Sequence, residues 1–368
     1  MELLGFLLSF SEKEDTFVEE NEEADKVGLI KRKGIDMRLL SILVLSSWLI
    51  SCTSGDEKVR IVPSKGLPSE LLLVVDDKVW QSDIADTLKA ITQGSVPGLM
   101  QDEPFFKTVR ISSRHYTQTY TTFHSKLFVH LQPELKCAIV GVSRDVVAKP
   151  QIEVTVAAPN MDSLRKFLSE KAMYIRGLID DAQIEMRAAD LRKHYNRDMS
   201  QKFASVLGYG LKVPAQIRAS KTGKDFVWVG TNLNEKDLNI ALYTLPWDGK
   251  DYADEEIFVA CRDSVMRENI PGSRPDQWMQ TTKIDGSPVL FSGIRDIDGQ
   301  KVFEVRGLWE MRNGALGGPF VSLIRVDSVN NKIVVAEGFV YSPSTNKRDL
   351  LRTVEASLRT LHKTNIKK

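Results

Sequence analysis

The stretch KVFEVRGLWEMRNGALGGPFVSLIRVDSVNNKIVVAEGFVY, residues 301–341, decides the fold. Phe303, Val305, Trp309 and Met311 alternate with Glu304, Arg306, Leu308 and Glu310. That period of two is the pattern of a strand with one buried face. NGALGGP (313–319) and Asn330-Asn331 interrupt the pattern, and FVSLIRVD and KIVVAEGFVY resume it. Glycine and asparagine supply the positive φ angles that tight connections need. The stretch therefore predicts neighbouring antiparallel strands. SPSTNKRDLLRTVEASLRTL (342–361) follows, with Leu351, Val354, Leu358 and Leu361 on one helical stripe.

Working backwards, Asp248-Gly249, Asp285-Gly286 and Asp298-Gly299 are further two-residue turn candidates. They separate WMQTTKI, SPVLFSGI and the strand above, giving a meander of about five strands. Upstream, ELLLVVD (70–76), FFKTVRIS, KLFVHLQ, CAIVGVS and QIEVTVAA read as strands, and residues 82–92 carry a helical stripe. Asn160 is a candidate N-cap with Asp162 in the first turn, and helical patterning continues in one or two pieces to about Ser205. The expected fold class is α+β, with two strand-rich halves, each an antiparallel sheet with helices packed on one face. The expected domains are 69–207 and 208–368, joined to the N-terminus by a polar tether over 52–68.

The N-terminal part carries a different message. LLSILVLSSWLI (39–50) is too short to span a bilayer, which takes about 20 apolar residues. Lys31, Arg32, Lys33 and Arg38 precede it, and Ser51 and Cys52 follow. Basic flank, short apolar run and small residues describe a secretory signal over 37–51. Residues 1–36 contain SEKEDTFVEENEEAD and read as a disordered acidic extension upstream of a start at Met37; a cytoplasmic tail is the alternative. Leu49-Ile50-Ser51-Cys52 resembles the lipobox of bacterial lipoproteins. That resemblance implies cleavage before Cys52, diacylglycerol on its sulfur and acylation of the new amino terminus. Two or more acyl chains hold a protein stably at a membrane. Thr53 follows Cys52 where an Asp would resemble an inner-membrane retention signal, so the outer membrane is expected. Asp56 and Glu57 loosely resemble a surface-export signal, and both periplasmic and cell-surface faces stay open.

Removing 51 residues leaves 317, with 44 basic and 39 acidic residues, a balance of +5 with both signs interspersed. That is too weak a footprint for nucleic acid. Cys137 and Cys261 lie in apolar runs and read as buried thiols, with a disulfide as the alternative.

Few residues point to chemistry. Ser163 and Lys166 form an S-x-x-K and Lys221-Thr222-Gly223 a K-T-G, but no S-D-N lies between and the 58-residue spacing is short for an acyl-serine enzyme. NGALGGP lacks the G-K-[ST] ending of a phosphate loop. His115, His124 and His130 do not share a face if they lie in strands, so no metal and no cofactor are expected. Trp309 and Trp228 read as core, whereas Trp247 and Trp278 lie near turns and could stack on a sugar. Arg306 and Glu310, with Arg325 and Glu337 from neighbouring strands, form a candidate polar binding face if the registers align; a ladder of solvated ion pairs is the alternative.

GLWEMRNGALGGPFVS, AEGFVYSPSTNKRDLLRTVEASLRTL, DFVWV and ELLLVVDDKVW, together with the lipobox, resemble a Bacteroidetes-type family of lipoproteins classed as a domain of unknown function. The likeness covers most of 68–362 and implies an envelope location without an activity. From YGLKVPAQIRAS onward the chain also resembles sheet-plus-helix domains of the PsbP/Mog1 type. The expected function is a lipid-anchored binding or interaction module that meets an envelope protein or glycan. The alternative is an envelope hydrolase with an unrecognised active site.

Overall fold

The computed structural model describes residues 61–247, 252–297 and 299–364. The acidic extension, the signal, Leu49, Ile50, Ser51, Cys52 and most of the expected tether lie outside the described residues. Asp248, Gly249 and Asp298 do as well.

The first sheet is built from β1 (Glu70–Val75), β2 (Lys107–Ile111), β3 (Ser125–Leu131), β4 (Ile139–Arg144) and β5 (Ile152–Ala158), in the order β2-β1-β3-β5-β4. The expectation of antiparallel pairing fails here. β1 pairs in parallel with both β2 and β3, and β3 in parallel with β5; only β4 runs antiparallel, on β5. The connections explain this, because β1 reaches β2 through α1 (Ile84–Gln93), a crossover that returns the chain in the same direction. α1 and α2 (Met161–Leu191) cover one face of the sheet. Leu88, Ile91, Leu164, Leu168 and Ile175 close there over Leu71, Leu73, Leu127, Val129 and Val154. As expected, the Asn160 side chain caps α2 by accepting from the Ser163 N–H.

α3 (Arg197–Leu207) ends at Gly208, whose φ of 77° is the left-handed stop that glycine takes without strain. A boundary at 207/208 would assign α3 to the first half. Its Phe203 and Leu207 are instead in the core of the second sheet, so the division falls before α3.

The second sheet contains β6 (Ala219–Gly223), β7 (Phe226–Gly230), β8 (Asp237–Pro246), β9 (Met279–Thr281), β10 (Leu290–Ile297), β11 (Gln300–Met311), β12 (Gly317–Asp327) and β13 (Lys332–Tyr341). Its order is β9-β11-β12-β13-β8-β7-β6, with β10 also on β11. All its pairings are antiparallel, as the alternation predicts. Asp285-Gly286, with φ of 50° and 83°, turns the short hairpin Lys283–Ile284 to Ser287–Pro288. Helices cover both faces rather than one. α3 and the final helix α5 (Arg348–Leu358) bury Leu351, Val354 and Leu358 against Val334, Ala336 and Val340. α4 (Glu255–Asn269), a helix absent from the sequence reading, buries Phe258, Val259 and Met266 against Tyr243, Phe320 and Val335 on the other face. α5 approaches closely because a Cβ at Gly338 would meet the Val354 side chain at 2.6 Å.

The described residues from 61 onward form one compact unit, and α5 joins its two sheets. No side chain of its own caps α5. Glu103, from the first half, does so instead: its carboxylate accepts from the Lys347 N–H at 2.6 Å and the Arg348 N–H at 2.9 Å. An anion at a helix N-terminus satisfies orphan donors and complements the helix dipole. Behind it, α2 and α5 meet through charge. Arg352 pairs with Asp180, Arg359 with Asp181 at 2.7 Å, and Arg306 with Glu355. Glu304 completes the set, 2.8 Å from Arg306 and 3.5 Å from Arg295.

Candidate functional site

A cleft of about 470 Å³ lies on the seam of the two sheets. The segment 64–69, His124 and Pro150 form one wall. α2 forms the floor with Gln183, Met186, Arg187, Asp190 and Leu191, which are spaced to share one helical face. Pro214, Ala215 and Gln216 supply the opposite rim, and Thr353 and Ala356 of α5 the back. Drug-sized ligands occupy clefts of this size, commonly at domain boundaries.

The polar groups of the cleft are tied together. Arg187 donates through Nη2 to Ser69 Oγ at 3.1 Å and to Asp349 Oδ1 at 3.2 Å, and Ser69 Oγ donates to Asp349 Oδ1 at 2.6 Å. Lys107 and Arg348 also reach Asp349, at 3.4 and 3.1 Å. Burial raises the Asp349 carboxyl, but the bonds from Ser69 and Arg348 and the neighbouring charges outweigh it and bring it down to about 2. Burial pulls the Arg187 guanidinium below its usual range, opposed by Asp349.

His124 Nε2 lies 3.0 Å from the Leu67 carbonyl and must donate to it. Nδ1 then accepts from Ser125 Oγ at 2.7 Å. Burial pushes the His124 imidazole down, toward the neutral form. A serine hydroxyl on a histidine is the geometry of an activated nucleophile. Ser125 is 0% exposed, however, and its Oγ accepts from Gln183 Nε2 at 3.1 Å, so the pair is closed to substrate.

The residues singled out from sequence fall elsewhere. Arg306 is 6% exposed, inside the charge network of α2 and α5. Glu337 is 0% exposed and lies on the other face of the sheet, where it holds Arg262 of α4 at 2.7 Å and accepts from Ser322 at 2.9 Å. The register pairs Glu337 with Ser322 and Ser322 with Val305, which puts Glu337 on the Trp309 side. Arg325 donates to Gln300 and to the Leu361 carbonyl; Glu310 accepts from Gln280 at the sheet edge. These four residues therefore do not form one binding face.

Trp309 is in the core, as expected, edge-on to Phe339 at 5.6 Å. Trp228 is half-buried and donates to Asn239. Trp247 packs on the α4-side core. Arg267 and Arg312 lie over the Trp278 ring, 4.4 and 4.7 Å from its centroid, where a sugar would have to stack. Ser163 and Lys221 serve helix ends: Lys221 Nζ donates to the carbonyl of Asn269, the last residue of α4. Cys137 is exposed rather than buried, Cys261 is half-buried, and no disulfide joins them. His115 sits in a short turn, and His130 stacks on Phe128 at 5.7 Å. Among the described residues no group of three His, Cys, Asp or Glu side chains is gathered to hold a metal. No helix of the described residues is long and apolar enough to cross a membrane.

Sequence reasoning did not find Gln183, Arg187, Ser69 or Asp349. The one available sign was on α2, where polar Gln183, Arg187 and Asp190 extend the helical face begun by Leu168, Ile175 and Ile179.

Solved structures match part of the chain, the following two among them. The Ran-binding protein Mog1p of Saccharomyces cerevisiae is 11% identical over 42% of this chain and 90% of its own, with a TM-score of 0.29. A mutant of protein Mog1 is 11% identical over 43% and 92%, with the same TM-score. A likeness at that level carries no argument. No curated protein matches the chain. Residues 64–192 match the family described as Domain of unknown function (DUF8532), and residues 196–360 match Domain of unknown function (DUF4837). The two matched regions follow one another along the described body, and the cleft draws its lining from both.

Proposed function

We propose that the protein is a lipid-anchored binding module of the bacterial cell envelope. Cys52 carries the acyl anchor, the outer membrane holds it, and the body takes its ligand in the cleft between the two domains. The cleft carries this reading. It draws walls from both domains, it mixes apolar residues with a few fixed polar groups, and the buried charges behind it hold those walls in one geometry. The basic flank, the apolar run and Leu49-Ile50-Ser51-Cys52 support the anchor.

The test is a photo-crosslinking amino acid at Gln216, exposed on the cleft rim, in intact cells. An envelope-associated adduct at Gln216, absent from the same probe at exposed Val329, is the expected result. Equal labelling at both positions overturns the cleft as the site. Cys52→Ser is expected to move the protein from the membrane to the soluble fraction; retention at the membrane overturns the anchor.

A further inference from the structure

The cleft wall at Gly66-Leu67-Pro68 is fastened to the body by one side chain. All three residues are exposed, Leu67 by 61%, so apolar burial does little to hold them. On one side the backbone is fixed: the Lys65 N–H donates to the Thr122 carbonyl at 2.8 Å, and the His124 N–H to the Lys65 carbonyl at 2.9 Å. On the other, Ser69 is 2% exposed and its Oγ donates to Asp349. In between, the Leu67 N–H and carbonyl bond locally to Glu70. Among the described residues, the one hydrogen bond that ties 66–68 to the body beyond this turn runs from His124 Nε2 to the Leu67 carbonyl, at 3.0 Å. The approach there is close. Gly66 has a φ of 121°, and a Cβ on it would stand 2.5 Å from the His124 ring.

This fastening fits only the neutral ring. Nε2 carries the proton given to Leu67, so Nδ1 is bare and accepts from the Ser125 hydroxyl at 2.7 Å. A second proton would make Nδ1 a donor facing Ser125 Oγ. That oxygen already accepts from Gln183 Nε2 at 3.1 Å, and the Glu70 carbonyl fixes the same Nε2 at 2.9 Å. The Ser125 hydrogen would then lack an acceptor, because Ser125 is 0% exposed and its hydroxyl meets no other among the described residues. A buried donor stripped of its acceptor is costly. Burial opposes the charged ring most and Arg187 of α2 adds to it, whereas the Leu67 carbonyl and Glu70 favour it. The other charged groups around the cleft are engaged with one another: Asp349 of α5 with Arg187, Lys107 and Arg348, Asp190 with His194, and Lys149, beside Pro150, with Asp145. Lys65 stands on the same wall.

We infer that His124 is a pH-sensitive clasp on the cleft wall. Neutral, it holds Gly66-Leu67-Pro68 against the first sheet. Protonated, its ring leaves Ser125 and releases the three residues, which opens the cleft along that side. The clasp needs no ligand, so it stands or falls apart from the reading of the cleft as a binding site. The folded chain prefers the neutral ring. The contact is therefore complete above the ordinary histidine midpoint of 6.5, and is lost as pH falls below it through the lower midpoint of the folded protein.

The experiment is an NMR titration of the full-length protein from about pH 8 to about pH 5, the range in which histidine changes charge. It follows the His124 ring, the Leu67 methyl groups and hydrogen exchange at the Glu70 amide. The expected result is one midpoint below 6.5 shared by His124 and Leu67. Below it, Glu70 exchange is faster by about tenfold or more once corrected for its intrinsic pH dependence. Ser125→Ala removes the hydroxyl that favours the neutral ring and is expected to raise the His124 midpoint. His124→Gln keeps a donor for Leu67 but takes no proton, and is expected to abolish the pH response of Leu67. Both variants alter a buried contact, so the wild-type titration decides. Leu67 unmoved while His124 titrates, or a His124 ring still neutral at the acid end, overturns the clasp. So does a Leu67 response that follows His115, His130, His194 or His362 instead, or one that persists in His124→Gln.

Discussion

Arg306 shows how far a residue type can be read and where it misleads. Alternation along 301–311 correctly sets Arg306 and Glu304 on the face opposite Trp309. It does not say what covers that face. α5 and α2 do, and both side chains end in a buried network with Glu355 and Arg295. Glu337 was misplaced for a related reason: which face it shares with Arg306 depends on two hairpin registers, and a shift of one residue reverses the answer. The Glu304 carboxyl makes the network testable. Burial raises it, but Arg306 and Arg295 dominate and hold it at about 2, against 4.5 in the unfolded chain. A carboxyl lowered on folding stabilises fully above 4.5 and loses that contribution as pH falls from 4.5 toward 2. The contribution at neutral pH is about 3 kcal/mol. Glu304→Gln should therefore lower urea stability at pH 7, and its deficit against wild type should shrink across that acid window. A deficit independent of pH would contradict the assignment.

At the scale of elements, the first sheet and α4 were the two misreadings. ELLLVV is a continuous apolar run, and Leu71 through Val75 are all buried, the pattern of a parallel strand covered on both faces. The information was in the run, but short apolar runs do not state their direction. α4 was missed because Arg262 interrupts its apolar face. The N-terminal signs were present in Asp254, which caps the helix, and in Glu255 and Glu256 of the first turn. Arg262 is tolerated in the core because Glu337 pairs with it and the Phe320 ring lies 3.9 Å from its guanidinium carbon. Removing one partner strands the other. Glu337→Ala should cost about 3–5 kcal/mol by denaturant unfolding, whereas Arg262→Met with Glu337→Met should restore most of it. A double variant as unstable as the single one would mean that the pair's geometry, not its charge, organises the α4 face.

For the whole molecule, the α+β class was legible, because hydrophobic periodicity is local. The cleft was not. Its residues come from 64–69, 124, 183–191, 214–216 and 353–356, and only the packing of α5 on α2 brings them together. That packing rests on contacts across more than 150 residues of chain: Glu103 at the N-terminus of α5, Ser69 and Arg187 on Asp349, and Asp180 and Asp181 on Arg352 and Arg359. Two domains coupled this way should melt together. Calorimetry should give one transition with equal calorimetric and van't Hoff enthalpies; two transitions would mean that the seam is weak and the cleft not fixed.

The most direct test of the account is a photo-crosslinking amino acid at Gln216 on the cleft rim in intact cells. The account predicts an envelope-associated adduct there that is absent from the same probe at Val329. Equal labelling at the two positions would contradict it.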